Sequence, residues 1–193
     1  MSDRITPGEV LALLRGRFGR DYRYVERCES TQRLLPEDAA EGAVAATDEQ
    51  TAGRGRLGRS WSAPAGTSVL ASIVLRPQVP AQHLPELSLV ASRACAAAIE
   101  EVAGVHADVK WPNDVLVNGR KVAGILAEAR EGRVVLGVGI NVSQRPGELP
   151  EGAEFPATSI LVETGRTVGR AELLAALLAH LEREYDAWVK GYG

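Results

Sequence analysis

The order of elements along the chain predicts an α+β fold on a mixed, largely antiparallel sheet. Three observations carry this. Short β-type runs in the first part of the chain give way to one alanine-rich helical stretch, Leu87–Val102. Two turn signals, Asn118-Gly119 and Glu131-Gly132, then separate three apolar runs, the pattern of an antiparallel meander. A long amphipathic segment, Ala171–Val189, follows, with leucines at 173, 174, 177, 178 and 181. No repeat or linker divides the 193 residues, so the expectation is a single domain, 1–193, large enough to bury a core without staples.

Taken in order, Thr6-Pro7-Gly8-Glu9 before Val10, Leu11, Leu13 and Leu14 reads as a short capped helix. Tyr22–Arg27 alternates aromatic or branched residues with charge and reads as a strand. Ser30-Thr31-Gln32 before Leu34-Leu35 looks like a strand-to-helix turn, where hydroxyls either cap the helix or serve a ligand. Gly42–Thr47 and Thr67–Leu75 are buried strands on either side of a glycine- and arginine-rich stretch. Small residues dominate Leu87–Val102, as in a helix packed close against a sheet. Ala107–Lys110 is a brief strand ending in Lys110-Trp111-Pro112-Asn113-Asp114. Val115–Val117, Val122–Ala129 and Arg133–Val142 form the meander, and Pro146–Pro156 is a surface loop.

Composition narrows the function. A net charge of −3 excludes a general polyanion binder, so any basic feature is local. Cys28 and Cys95 are far apart and in no metal spacing, and read as two reduced core thiols of a cytoplasmic protein. His83, His106 and His180 are scattered, so no metal site is expected. Neither a signal peptide nor a membrane-spanning apolar run is evident.

The local basic feature is Gln50-Thr51-Ala52-Gly53-Arg54-Gly55-Arg56-Leu57-Gly58-Arg59-Ser60-Trp61. Its glycines disfavour both helix and strand, which predicts a loop. Such a loop lays backbone N–H groups and guanidinium forks against an anion, while Trp61 offers a flat face to a ring. A solvated basic loop or an RGG-type nucleic-acid tether would look similar. Glycine content and mutual repulsion among the arginines predict mobility until an anion arrives. Lys110 at a strand end, and Lys121 just past a hairpin turn, add point charges that fit a reaction between two anions. Asn113 and Asp114 offer polar contacts or a Mg²⁺ ligand, or simply serve their turn.

Four ordered motifs resemble those of the biotin protein ligases. They are Gly53–Trp61, Lys110–Asp114, Ala123-Gly124-Ile125-Leu126 and Gly137-Val138-Gly139-Ile140-Asn141-Val142. Ser30-Thr31-Gln32 sits where the family has its Ser-Thr pair, with Gln32 where asparagine is commoner, and Ala157-Thr158-Ser159 matches a further short element. The resemblance implies a sheet like that of class II aminoacyl-tRNA synthetases and biotin synthetases, with helices packed on one face. It implies a ligase using biotin and Mg²⁺-complexed ATP to form biotinyl-5′-AMP, then acylating a lysine of a biotin carboxyl carrier domain. Lys110, Arg54 and Arg56 would be catalytic. Ser30, Thr31, Gln32, Gln50, Gly53, Gly55, Trp111, Gly124 and Leu126 would join them around biotin, Gly124 leaving room for the valeryl chain. Arg59, Trp61, Asn113, Asp114, Lys121 and Asn141, with Arg56, would hold the adenylate. The resemblance is to the non-regulatory type, with neither the DNA-binding domain nor the usual SH3-like domain, and hence to an impaired transferase. The expected state is a monomer or weak homodimer, without nucleic-acid or membrane partners. A lipoate or octanoate ligase, and a biotin-binding protein without transfer activity, are the alternatives.

Overall fold

The structure, a computed structural model, describes residues 3–130, 132–150 and 155–192. Helix α1 (Pro7–Val10) starts at Thr6, whose N–H and hydroxyl both donate to Glu9, and continues as a 3₁₀ turn over Leu11–Leu13. The strands are β1 (Tyr22–Cys28), β2 (Val44–Gln50), β3 (Gly53–Arg54), β4 (Ser60–Trp61), β5 (Ser68–Leu75), β6 (Asp108–Lys110), β7 (Asp114–Val117), β8 (Arg120–Arg130) and β9 (Arg133–Asn141). The remaining helices are α2 (Leu87–Ala103), α3 (Ile160–Thr164) and α4 (Arg170–Lys190).

Seven strands form one sheet in the order β1-β2-β5-β9-β8-β7-β6. Only β1 and β2 pair in parallel; the other neighbours are antiparallel. The α+β expectation of a mixed, largely antiparallel sheet is therefore met. Asn118 (φ 50°) and Gly119 (φ 73°) turn β7 into β8, the double left-handed conformation an Asn-Gly hairpin adopts. In the second expected turn Glu131 lies outside the described residues, while Gly132 has φ 78° and Arg130 pairs with Arg133. Part of the expected Pro146–Pro156 loop, 151–154, also lies outside them; Pro146–Glu148 is a 3₁₀ turn.

Strand alternation divides the sheet into two unlike faces. Val69, Ala71, Ile73 and Leu75 of β5, Val134, Leu136, Val138 and Ile140 of β9, and Ala123 and Ile125 of β8 join α2 and α4 in the main core. The leucines at 173, 174, 177, 178 and 181 are each at most 1 % exposed, so truncating any one to alanine should cost about 2–5 kcal/mol. Helix α2 meets β6, β7 and β8 and packs along α4, with Ala91, Ala94 and Ala98 fully buried. On the opposite face, Leu35 and Ala39 cover only one end, against Ala45, Val74 and Val135. Ser72, Gly124, Leu126, Gly137, Gly139 and Asn141 occupy the rest of that face by their register.

The start of α4 is tied to the sheet by Arg170, 2 % exposed. Its guanidinium lies 2.8 Å from Asp48 and 3.3 Å from Asp3. Asp48 also accepts the Tyr24 hydroxyl at 2.6 Å. Removing Asp48 would leave the buried Arg170 guanidinium short of its better-buried counter-ion, at a cost of about 3–5 kcal/mol, whereas Asp3, 41 % exposed, contributes less. Cys95 is buried in α2, and burial pushes its thiol up to about 12, whereas Cys28 is only half-buried. The expectation of two core thiols holds for Cys95 alone.

Candidate functional site

The uncovered end of the sheet carries a cleft of about 750 Å³. It is bounded by the turn after β1, the β3–β4 segment, the β6–β7 turn, and the backbones of β8 and β9. At one end the chain leaves β1 through a single 3₁₀ turn, Thr31–Arg33, where a helix start was expected. Neither hydroxyl caps it: Ser30 makes no capping bond, and the Thr31 hydroxyl lies 2.7 Å from Ser72 Oγ. Gln50 Oε1, at the end of β2, accepts the Thr31 N–H at 2.8 Å and its hydroxyl at 3.2 Å. Gln32 Nε2 donates to Leu126 O at 3.4 Å, and Gln32 Oε1 accepts from Arg54 at 3.3 Å. This end is a cup of neutral donors and acceptors, nearly all drawn inward and buried.

The arginine stretch is not the plain loop its glycines predict. Gly53–Arg54 pairs with Ser60–Trp61 as a two-stranded hairpin, with a 3₁₀ turn over Arg56–Gly58 at its tip. Gly53 permits this pairing, since a Cβ there would lie 2.4 Å from Trp61 O. Gly53 thus shapes the hairpin and does not itself line the cleft, unlike Arg54, Gly55, Arg56 and Arg59. Arg56 donates to Asn113 Oδ1 at 2.8 Å, while Asn113 Nδ2 donates to Ile125 O at 2.9 Å. Arg54 pairs with Glu128 at 3.2 Å. The hairpin is therefore pinned to both banks of the cleft.

The other end is cationic. Lys110 closes β6, with its Nζ 5.6 Å from the Phe155 ring centre. Lys121 Nζ lies 2.7 Å from Asp114 Oδ1 and 6.0 Å from the Trp61 ring centre. Asp114 is thus engaged as a counter-ion. Asn141, 4 % exposed, spends its amide inside the protein: Nδ2 donates to Thr158 O and Oδ1 accepts from Gln144, both at 2.9 Å. Among the described residues, no group of three or more His, Cys, Asp or Glu side chains is placed to hold a metal.

Trp61 joins the two ends. Its indole lies flat on the strand backbones, where a Cβ at Gly139 would be 2.5 Å from Cε2 and one at Gly124 would be 3.0 Å from Cζ3. Its buried Nε1 has no hydrogen-bond partner among the described residues. The space above Gly124, expected to admit an acyl chain directly, is occupied by this indole and by Lys121. Trp111, expected as an apolar wall, is 74 % exposed at the rim. Trp61 is thus part of the apolar lining of the cleft, with Leu126 and Phe155.

This geometry can be set beside known proteins. A model described as the biotin/lipoate A/B protein ligase family matches residues 24–144. The chain belongs to this family. A relative in Bacillus subtilis, the bifunctional ligase/repressor BirA, is 41 % identical over 177 residues, covering 87 % of this chain and 54 % of that protein. The biotin–[acetyl-CoA-carboxylase] ligase of Mycobacterium tuberculosis is 40 % identical over 77 % of this chain and 56 % of its own length. The chain spans about half the length of these curated relatives. A solved biotin protein ligase from Aquifex aeolicus, in complex with biotin and ATP, superimposes with a TM-score of 0.80. It is 32 % identical, with 89 % of this chain and 72 % of that one covered.

Within this family framework, every residue expected around biotin or the adenylate except Gly53 lines the cleft. Sequence reading missed Phe155 and the floor positions Gly137 and Gly139 as site residues. The floor was findable: Gly-x-Gly-x-Asn at period two puts Gly137, Gly139 and Asn141 on one face of a strand. Phe155 carries no such signal, being an isolated aromatic in an irregular stretch. No helix among the described residues is long and apolar enough to cross a membrane.

Proposed function

We propose that residues 1–193 form the catalytic domain of a biotin protein ligase acting in the cytoplasm, as a monomer or weak homodimer. The observation that carries this reading is the layout of a single cleft. A neutral hydrogen-bonding cup (Ser30, Thr31, Gln32, Gln50) lies at one end and lysines at the other, with an arginine hairpin between them. A bicyclic urea needs paired neutral donors and acceptors; a carboxylate meeting a triphosphate needs fixed cations. The solved relative holding biotin and ATP supports the same pairing of ligands.

The first step joins two anions. A biotin carboxylate oxygen attacks the α-phosphorus of ATP, the bond to the β-phosphate oxygen breaks, and pyrophosphate leaves. Lys110, Arg54 and Arg56 offset the repulsion between carboxylate and phosphate and the charge that grows on the phosphoryl oxygens. One such preorganised donor is worth about 2.7–4 kcal/mol. Lys121 exchanges Asp114 for phosphate oxygens, and Trp61 supplies the flat apolar surface against the adenylate. Magnesium arrives with the nucleotide as part of the substrate. In the second step a lysine amine of a biotin carboxyl carrier domain attacks the acyl carbon. An amide forms, AMP leaves, and the amine proton passes to solvent.

The test is ATP–pyrophosphate exchange with biotin, lipoate or octanoate as the acid, followed by transfer to a carrier domain. Exchange dependent on biotin alone is the expected result. Exchange with lipoate or octanoate alone would move the chain to the other branch of its family. Tight biotin binding without exchange would make it a binding protein.

A further inference from the structure

The cationic end of the cleft is held by a carboxylate that touches none of the proposed site residues directly. Glu163, on α3, has a side chain only 1 % exposed. It accepts from Asn118 Nδ2 and Arg120 Nη2, each at 2.8 Å, and from the Thr158 hydroxyl. These donors belong to the β7–β8 turn, the start of β8, and the residue after Ala157, which makes a parallel bridge to Lys121. Burial alone would push the Glu163 carboxyl up, but the bonds from Thr158, Asn118 and Arg120 hold it below the ordinary range.

Thr158 transmits this anchoring. Its N–H donates to Lys121 O at 2.8 Å, and Lys121 N–H in turn donates to Pro156 O at 2.8 Å. Its carbonyl accepts Asn141 Nδ2 at 2.9 Å. Thr158 therefore bonds both the Lys121 carbonyl and the Asn141 amide, which Pro156 and Gln144 hold from their other sides, with its own hydroxyl fastened to Glu163. The neutral cup shares no part of this network, since its bonds run among Thr31, Gln50, Ser72 and Leu126.

We propose that Glu163 is a positioning residue for the nucleotide end of the cleft, acting through Thr158 on Lys121 and Asn141 together. The proposal rests on the ligase reading above. Glu163→Gln puts an amide N–H₂ among three donors. Thr158→Val removes only the hydroxyl and leaves the pairing of Glu163 with Arg120 and Asn118.

The test combines three measurements on wild type and both variants. These are the KM for ATP in biotin-dependent pyrophosphate exchange, the dissociation constant for biotin, and amide hydrogen exchange at Lys121 and Thr158. Both variants should raise the ATP KM roughly ten-fold, the scale of a lost buried hydrogen bond. Biotin affinity should stay within about two-fold while exchange at the two amides accelerates. A lower melting temperature with the ATP KM unchanged would make Glu163 merely structural and overturn the proposal. Equal weakening of ATP and biotin, or unaltered amide exchange, would also overturn it. A wild-type chain without biotin-dependent exchange would sink the ligase reading instead, and amide exchange would still decide the role of Glu163.

Discussion

Gly139→Ala is the sharpest test of the cleft's architecture, because the substitution is small and its target is a single ring. Gly139 sits mid-strand in β9, paired to Leu70 on one side and Gly124 on the other, so its backbone has nowhere to go. The added methyl would lie 2.5 Å from Trp61 Cε2 and 2.6 Å from Cζ2. Carbon contacts settle at ~3.5–4.0 Å, so the indole must retreat by about 1 Å. Overpacking of this kind costs ~1–3 kcal/mol. In a chain of this length each kcal/mol lowers Tm by ~2–4 °C. The cost should vanish when the ring is absent. In a Trp61→Ala background the same change should be neutral or stabilise by ~0.5–1 kcal/mol, since alanine loses less backbone freedom than glycine. Urea unfolding of wild type, both single variants and the double variant gives the coupling directly, expected at about 1–3 kcal/mol. An equal cost of Gly139→Ala with and without Trp61 would refute the stacked indole.

Three further outcomes are expected. Lys110→Ala should cut biotin-dependent pyrophosphate exchange by about 10²–10³-fold while leaving Tm within a degree or two, and near-normal exchange would remove Lys110 from the chemistry. Glu86, bonded by Tyr192, Trp188 and His83, has its carboxyl depressed from 4.5 to about 2, so its contribution is full above pH 4.5 and fades as pH falls toward 2. The Tm difference between wild type and Glu86→Gln should therefore be largest at neutral pH and shrink across that window; a constant difference would contradict the assignment. Glu128→Gln removes the ion-pair partner of Arg54 and leaves its 3.3 Å bond to Gln32, so trypsin should cut the arginine hairpin several-fold faster in the unliganded variant, with biotin and ATP erasing the difference; identical cleavage would show that the pair holds nothing.

Much of the fold was legible because its signals are local. Alternating apolar residues gave the strands of the meander, Asn118-Gly119 gave its first turn, and the leucine stripe gave α4. The parallel pairing of β1 with β2 was not legible, since the segment between them has no periodicity announcing a crossover. Nor was the β3–β4 hairpin: two-residue strands show no alternation, and glycine content argued against any strand at all. At the site, residue types were readable but their commitments were not. Asn141 reads as a ligand contact from sequence, but only the fold shows that Thr158 and Gln144 engage both ends of its amide where it lines the cleft. Gly124 reads as room for a ligand until an indole 63 positions earlier in the chain is found resting on it.

The arginine hairpin shows the same limit in electrostatic terms. From sequence, Arg54, Arg56 and Arg59 repel one another and await an external anion. In the structure Arg56 bonds a neutral amide, Asn113, and Arg54 faces Glu128. A carboxylate arriving at Arg54 therefore exchanges with an existing partner, and its net gain is the difference between two ion pairs. The pair it displaces is weak: Arg54 is 43 % and Glu128 23 % exposed, and ion pairs open to solvent are worth ~0.2–1 kcal/mol. Displacement thus costs little. Glu128 thus places the Arg54 guanidinium at the wall of the cleft without holding it strongly enough to compete with an incoming carboxylate.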